Sequence, residues 1–531
     1  MTAGEVSETL EKCSKKSAPG PDHVPYGVWK NIHRMEGKII PKLVEDMLEW
    51  GINPPILKKS TGIILAKPGK KDYTDYASFR VIALMQTFSK IVERIVNKRL
   101  MAIAYKEDMY CINQTRSLPQ RSTVDAALSL KQWIRESQFA GKKTSTVFLD
   151  VKGGFDNVNH SKLLDLLGTD EKVPRYLVDW ISNFIHTRQI ALAYPGSPRT
   201  SNKVDRGIPQ GSPLSPLLFV IYVRALHPEI EHSDIFTSSY MDDFQITVAS
   251  TSWYRNTKIL QERIQRMNST AAGLRLSFSI AKTELMHWRK PKEKSERSEC
   301  TVMFQSHVIE PAGKAVKWLG FWLTDNGETS THFGKRLVLG QAAFIRIQRL
   351  SMPGKGLNPY GARRLAKGII LPTLLYGAEI FDLTVTMIGK MQTFWNRVLR
   401  WITNSFYATN TTIVSAEVCL APIKLYAKQA REMTAVRITT AVPKNNIPTA
   451  MLPGGYPLVE EYRYPTNRRQ VFDKNKEGMR PKRWNSTATT TAQVRLPIDE
   501  VGAIAAGNYS ARPFPMKPNR LSMVTEQAAK S

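Results

Sequence analysis

The chain has 531 residues, 42% of them hydrophobic, with 75 Lys and Arg against 46 Asp and Glu, a formal net charge of +29 and a pI near 9.9. That length suits two to four domains with sizeable cores. The cationic excess points to polyanions, nucleic acid through phosphate contacts first and an anionic membrane surface second. No apolar run reaches the ~18 residues a spanning helix needs. The start, MTAGEVSETLEKC, has neither an apolar signal core nor the Arg-rich, acid-poor look of a transit peptide. Cys13, Cys111, Cys300 and Cys419 stand singly, which argues against a disulfide framework or zinc knuckle and fits a reducing intracellular setting.

Residues 1–25 are polar and close on the turn-rich SAPGPDHVP. Helical spacing follows over 26–50, at Val28, Trp29 and Ile32, then Ile40, Leu43, Val44, Met47 and Leu48. STGIILAKPGKKDYTDYASFRVIALM reads as two strands flanking a basic loop. Residues 87–105 and 123–139 read as helices. TSTVFLDVKGGFD reads as a buried strand whose carboxylate, Asp150, lies at the rim. A helix starting at Pro174, a favourable first-turn residue, presents Leu177, Trp180, Ile181, Phe184 and Ile185. RGIPQGSPLSPLLFVIYVRAL is a Gly/Pro-rich loop feeding an apolar helix, and Pro216 fits only in that helix's first turn. SDIFTSSYMDDFQITVAS reads as two strands with Asp242 and Asp243 at the bend. A helix near 255–273 and short strands through KWLGFWLT follow. Residues 325–442 look mainly helical, and 443–531, rich in Pro, Asn, Gly and Thr, look loosely ordered.

Adjacent acids repel in a tight bend, where Asn-Gly would sit better. A sequence breaks such a local rule mainly where function asks for it. An Asp-Asp pair alone is most often a solvated turn, and Asp150 alone a capping or salt-bridged acid. If the two strands are neighbours, however, three carboxylates converge. Such a cluster suits hard divalent cations, Mg²⁺ above all. Two ions about 3.5–4 Å apart are the machinery of nucleotidyl transfer.

Further motifs join the acids in a fixed order: KPGKK with FRVIAL, RSTVDAAL, FLDVKGGFDNV, GIPQGSPLSPLLF, YMDD, KTELMHW and KWLGF. In that order, residues 19 to about 324 resemble the fingers and palm of a reverse transcriptase of the non-LTR (LINE-like) retrotransposon lineage, fungal elements most of all. The region 325–442, with VSAEVCLAPIKL, resembles the thumb and following segment less specifically. The resemblance implies an α+β right-hand polymerase fold with an antiparallel palm sheet: an N-terminal extension at 1–25, fingers and palm at 26–324, a helical thumb or connection at 325–442 and a low-order tail at 443–531. It implies an RNA-directed DNA polymerase that joins deoxynucleoside triphosphates to a DNA primer on an RNA template. Asp150, Asp242 and Asp243 would hold two Mg²⁺ ions, with Mn²⁺ as the substitute.

Other roles follow from the same resemblance. Lys67 and Arg80 would grip the triphosphate, Arg bidentately and Lys as a point charge, although a solvated basic turn is the alternative, above all for Lys70 and Lys71. Phe155 would lie beneath the sugar and clash with a 2′-hydroxyl, a role ranked above that of Asp156 as a hydroxyl partner. Gln210 and Gly211 would lie against template and nucleotide, since Gly lets backbone approach where a Cβ would clash. Lys282 resembles a lysine that protonates pyrophosphate, with a surface lysine as the alternative. Trp318, Leu319 and Gly320 resemble a primer-gripping hairpin or are plain packing. Arg346 and Arg349 share a helical face that would track a duplex backbone or simply be solvated.

The pattern departs from the family at Arg116, where glycine is usual after Gln114, at Val81 for proline and at Gly154 for alanine. These raise a second reading, a decayed relic that only binds nucleic acid. A group II intron maturase and a viral RNA polymerase are further readings, disfavoured by the unfamiliar 325–531 and by Phe155. No endonuclease or ribonuclease H pattern is visible, so the chain is expected to be the polymerase part of a larger or degraded element. The family acts at chromosomal DNA, which suggests the nucleus, with the mitochondrion as alternative.

Overall fold

A computed structural model describes residues 3–440 apart from 71, 112, 118–120, 194–200, 229–232, 291–299, 314 and 351–356. The tail expected at 443–531 lies outside the described residues. The chain divides into two compact units, one of 1–126, 137–287 and 294–312, the other of 127–136, 288–293 and 313 onward. Among the described residues no helix is long and apolar enough to cross a membrane.

The first unit opens with helices α1 (Ala3–Glu11), α2 (Tyr26–Met35) and α3 (Ile39–Glu49). Ile40, Val44, Met47 and Leu48 form the buried stripe of α3, which turns Leu43 outward at 47% exposure, and Val28 of α2 is likewise 41% exposed. Strands β1 (Lys59–Ala66) and β2 (Phe79–Met85) flank the basic loop. Helix α4 (Thr87–Lys106) follows, then α5 (Thr123–Phe139), whose middle belongs to the second unit. Next come β3 (Lys143–Asp150), the short α6 (Gly154–Asn157), α7 (His160–Gly168) and α8 (Arg175–Ile185), for which Pro174 is the N-cap. Strands β4 (Arg188–Ala193) and β5 (Ser201–Val204) precede α9 (Ser215–Tyr222). Pro216 sits in the first turn of α9, where its missing N–H leaves no bond unmade. Then come β6 (Ile235–Tyr240), β7 (Asp243–Ser250), α10 (Trp253–Gly273), β8 (Glu284–Trp288), β9 (Val302–Phe304) and β10 (His307–Ile309).

These strands make two four-stranded sheets, β2-β1-β4-β5 and β6-β7-β3-β8. In the first, β1 pairs antiparallel with β2 and parallel with β4. In the second, β3 and β6 both run antiparallel to β7. Residues Thr144–Leu149 of β3 are buried throughout. Two of the three hydroxyls are satisfied across the sheet: Thr146 and Thr247 oxygens lie 2.7 Å apart, and Ser145 Oγ lies 2.7 Å from His287 Nδ1, while Thr144 Oγ1 is buried without a hydrogen-bond partner. A buried hydroxyl without a partner costs about 1–3 kcal/mol, which the pairs at Ser145 and Thr146 avoid.

The second unit holds the hairpin β11 (Ala315–Trp318) and β12 (Phe321–Thr324), then α11 (Ser330–Leu350), α12 (Pro359–Leu365), α13 (Leu371–Leu375), α14 (Val385–Thr403), α15 (Thr411–Val418) and α16 (Ile423–Thr440). The hairpin therefore groups with the helices that follow it.

Candidate active site

Asp150 ends β3 and Asp243 begins β7, and the two residues face each other as partners in the antiparallel ladder. The Val151 amide donates to the Asp242 carbonyl at 2.9 Å. Three carboxylate-bearing residues thus share one end of the central strand pair. Tyr240 pairs with Asp243, so the turn itself is Met241–Asp242, with Met241 at φ 62°. Only Asp242 sits in the bend; Asp243 is already in the strand. Burial raises the Asp242 carboxyl above its usual range, the charge of Asp150 adding to this and Lys282 and Arg80 opposing it. Burial and then Asp242 and Asp150 push Asp243 up to about 7. The site therefore favours a cation.

The cation this fold itself supplies is Lys282, whose Nζ lies 2.8 Å from each carboxylate oxygen of Asp150. Its placement follows from the backbone. The Lys152 amide donates to Ser277 O and the Ser279 amide to Asp150 O, both at 2.8 Å, and a tight turn over Ile280–Lys282 then brings the side chain back. Among the described residues no three or more His, Cys, Asp or Glu side chains are gathered as a ready metal cage. The donor set, carboxylate oxygens alone, has the chemistry that Mg²⁺ or Mn²⁺ takes. Holding an ion there requires the Asp150 carboxylate to exchange Lys282 for it.

Lys67 follows β1 and Arg80 lies in β2 opposite Leu65. Burial lowers the Lys67 ammonium pKa, and Arg80, Lys70 and Lys282 lower it further while Asp156 opposes them. Cations held close enough to repel one another mark a place that binds a polyanion. Val81 pairs with Ile64 in the β1–β2 ladder, where it offers a backbone N–H that proline lacks.

The loop before α9 is fixed on two sides. Gln210 Nε2 donates to Asp156 Oδ1 at 3.1 Å, so the acid once weighed as a hydroxyl partner is engaged by the loop. Gln210 O accepts from the Ala83 amide at 2.7 Å. Gly211 has φ +130°, and a Cβ there would lie 2.5 Å from Ala83 O. The close approach this glycine permits within the chain is to β2. Gly211→Ala is expected to cost about 1–3 kcal/mol in backbone strain alone. A thermal melt and the nucleotide KM measured together check this, and a melt equal to wild type refutes it.

One residue the sequence reading passed over anchors this loop. Glu93 of α4 is fully buried. Its carboxylate accepts from Ser89 Oγ at 2.8 Å and from Ser212 Oγ, and Ser212 Oγ in turn accepts from the amides of Leu214 at 3.0 Å and Ser215 at 3.2 Å. Burial pushes Glu93 up to about 7 against these hydrogen bonds. The available signal was spacing: Ser89, Glu93, Val96 and Leu100 share one buried helical face.

Phe155 lies in α6, partly buried against the core. Arg116 is exposed; its Nη1 donates to Tyr240 Oη at 2.7 Å and its guanidinium lies 5.2 Å from the Tyr240 ring centroid. In the second unit, Trp318 is only 3% exposed and serves as core. Leu319 (φ 49°) and Gly320 (φ 84°) form the two-residue turn between β11 and β12, a geometry suited to hairpin turns with both central φ positive. Tyr376 Oη donates to Leu319 O at 2.7 Å and Arg336 to Gly320 O, so both carbonyls of the turn are held within this unit. Arg346 and Arg349 are exposed on α11.

Residues 65–323 match the family described as reverse transcriptase (RNA-dependent DNA polymerase). That segment is a reverse transcriptase domain. Its fold is the α+β right-hand polymerase fold, followed in the chain by a mainly helical region. The chain is similar to the probable RNA-directed DNA polymerase from transposon X-element of Drosophila melanogaster, 23% identical over 413 residues, covering 77% of this chain and 45% of that protein. It is also similar to the RNA-directed DNA polymerase from mobile element jockey of the same organism, 22% identical over 419 residues, covering 76% of this chain and 44% of that one. The chain thus spans less than half the length of these relatives. A solved telomerase from Candida tropicalis aligns over 81% of this chain and 68% of its own with 11% identity and a TM-score of 0.39, too distant to carry a fold assignment.

Proposed function

We propose that this chain is the polymerase part of a non-LTR retrotransposon reverse transcriptase, extending a primer 3′-hydroxyl with deoxynucleotides on an RNA template. The observation that carries it is the meeting of Asp150 with Asp242 and Asp243 at one end of the β3–β7 pair. Arg80 and Lys282 stand within electrostatic reach of Asp242, and Lys67 within reach of those two cations. Two divalent ions on the three acids, Mg²⁺ or Mn²⁺, would supply the charge that activates the hydroxyl and neutralises the leaving pyrophosphate. The remaining work is positional and electrostatic. Arg80 and Lys67 bind the triphosphate. Lys282, released from Asp150, brings an ammonium proton to the pyrophosphate oxygen. The loop at Gln210 and Gly211 lies against template and nucleotide. The Leu319–Gly320 turn contacts the primer.

The names fingers and palm for 26–324 and thumb for 325–442 belong to the same reading, as does a nuclear place of action at chromosomal DNA. The block spellings read as fungal, whereas the relatives described above come from insects. Purified protein with a DNA primer annealed to homopolymer RNA is expected to extend the primer with Mg²⁺ and to stop when the metal is chelated. RNA binding without extension in either Mg²⁺ or Mn²⁺ would make the chain a nucleic-acid binder instead.

Phe155 is the residue that reads the sugar in this proposal. Phe155→Val removes the ring that meets a 2′-hydroxyl and is expected to raise ribonucleotide incorporation by about a hundred-fold, the upper end for steric discrimination in a pocket. Equal ribo and deoxy preference in wild type and variant would remove Phe155 from this role.

A further inference from the structure

This inference rests on the reading of Phe155 as the ring that excludes a ribose. A ring can discriminate sugars only if it cannot swing away, because a clash that the protein can relax costs little. Helix α6 spans only Gly154–Asn157 and is preceded by Gly153 at φ +60°, so its own turn gives Phe155 little rigidity. The ring is partly buried, and the wall behind it decides where it stands.

That wall is Phe219 of α9. The two rings stack at 5.0 Å between centroids with planes 11° apart. Phe219 is 0% exposed, in a helix whose residues Leu217–Tyr222 are all buried. At position 154 a Cβ would lie 2.7 Å from Phe219 Cζ and 3.0 Å from Cε2. Gly154, the departure that suggested decay, is thus the residue that leaves the Phe219 ring its room. A methyl there would push that ring, and the ring stacked on it would follow. The start of α9 is fixed in turn by Ser212, whose hydroxyl meets the Leu214 and Ser215 amides and the buried Glu93 carboxylate.

We propose that Phe219 is a specificity-positioning residue: it backs Phe155 and sets how closely that ring approaches the 2′ carbon of the incoming nucleotide. Gly154 and Phe219 then act as a matched pair, and the sugar choice is written in three residues rather than one.

The test is the ratio of kcat/KM for a deoxynucleotide to that for its ribonucleotide, measured in wild type, Phe155→Val, Phe219→Leu, Gly154→Ala and the Gly154→Ala/Phe219→Leu and Phe155→Val/Phe219→Leu doubles. Phe219→Leu is expected to lower the ratio about ten-fold, the worth of one aromatic pair, with the change in the ribonucleotide KM. Gly154→Ala shifts the ratio too, and adding Phe219→Leu restores it toward that of Phe219→Leu alone. With Phe155 already gone, Phe219→Leu changes the ratio no further, the non-additivity of residues acting through one another. A lowered melting temperature with an unchanged ratio in both Phe219→Leu and Gly154→Ala overturns the proposal and leaves Phe219 as core. An effect of Phe219→Leu on top of Phe155→Val also overturns it. If Phe155→Val itself leaves the ratio untouched, the sugar-reading role fails and this proposal with it; absence of extension by wild type is the separate failure of the polymerase reading.

Discussion

Asp242→Asn is expected to lower Mg²⁺-dependent primer extension by about a thousand-fold, the size of losing several kcal/mol of transition-state charge stabilisation. The same change should leave the fold intact or firmer. Asp242 is held at one end of β3–β7 with Asp150 and Asp243, and its own carboxyl and that of Asp243 are raised first by burial and then by the neighbouring carboxylates. Asparagine keeps the shape and removes a charge. Stability and activity then move in opposite directions, which separates a functional acid from a structural one, since a salt-bridged structural Asp would lose stability on the same replacement. Extension within ten-fold of wild type, or a melting temperature that falls with the activity, would sink the assignment of this cluster as the reacting centre. RNA binding measured by filter retention should persist in the variant, because the cations at Lys67 and Arg80 are untouched.

The acids were legible because they violate a local rule. Two adjacent carboxylates read at a hairpin bend and a third at a strand end need a reason, and the ladder pairing of Asp150 with Asp243, which places only Asp242 in the bend itself, is that reason in space. Helices α4 and α5 and the β1–β2 hairpin were legible for the opposite cause: strong periodicity bounded by Gly, Pro and charged turns. What the sequence hid is what depends on distant partners. Strand β4 runs parallel to β1 with Gln189 opposite Lys59, a pairing that no local pattern announces. Lys282 reaches Asp150 across 132 positions. Trp318 read equally as a primer contact or as packing, and its burial at 3% exposure is set by the fold around the β11–β12 hairpin. Gly154 looked like decay until Phe219 stood beside it. Each of these is a relation between residues rather than a property of one, and a single chain without its fold does not display such relations.

Glu93→Gln is expected to stabilise the protein above neutral pH and to leave it unchanged in acid. Burial holds the Glu93 carboxyl at about 7 in the folded chain against 4.5 when free. Below pH 4.5 the group is protonated in both states and contributes no pH dependence. Between 4.5 and about 7 the folded state keeps a proton that the unfolded state has released, so stability falls as pH rises through that window and levels off above it. The loss amounts to about 3 kcal/mol at 1.36 kcal/mol per pH unit. Glutamine cannot ionise, and its amide oxygen can still take the Ser212 hydroxyl, which already accepts two amides and must donate, while its NH₂ turns to Ser89. Denaturation midpoints of the two proteins compared from about pH 4 to about pH 8 should therefore coincide at the acid end and diverge upward. Glu93→Ala separates charge from contact: it removes the acceptor of two buried hydroxyls and opens a cavity, and it should cost about 2–4 kcal/mol at the acid end, where the wild-type carboxyl is neutral. Parallel pH curves for wild type and Glu93→Gln would mean that Glu93 is ionised in the folded chain. The Ser212 loop, with Gln210 and Gly211 on it, would then be tied down by a charged carboxylate rather than a neutral one.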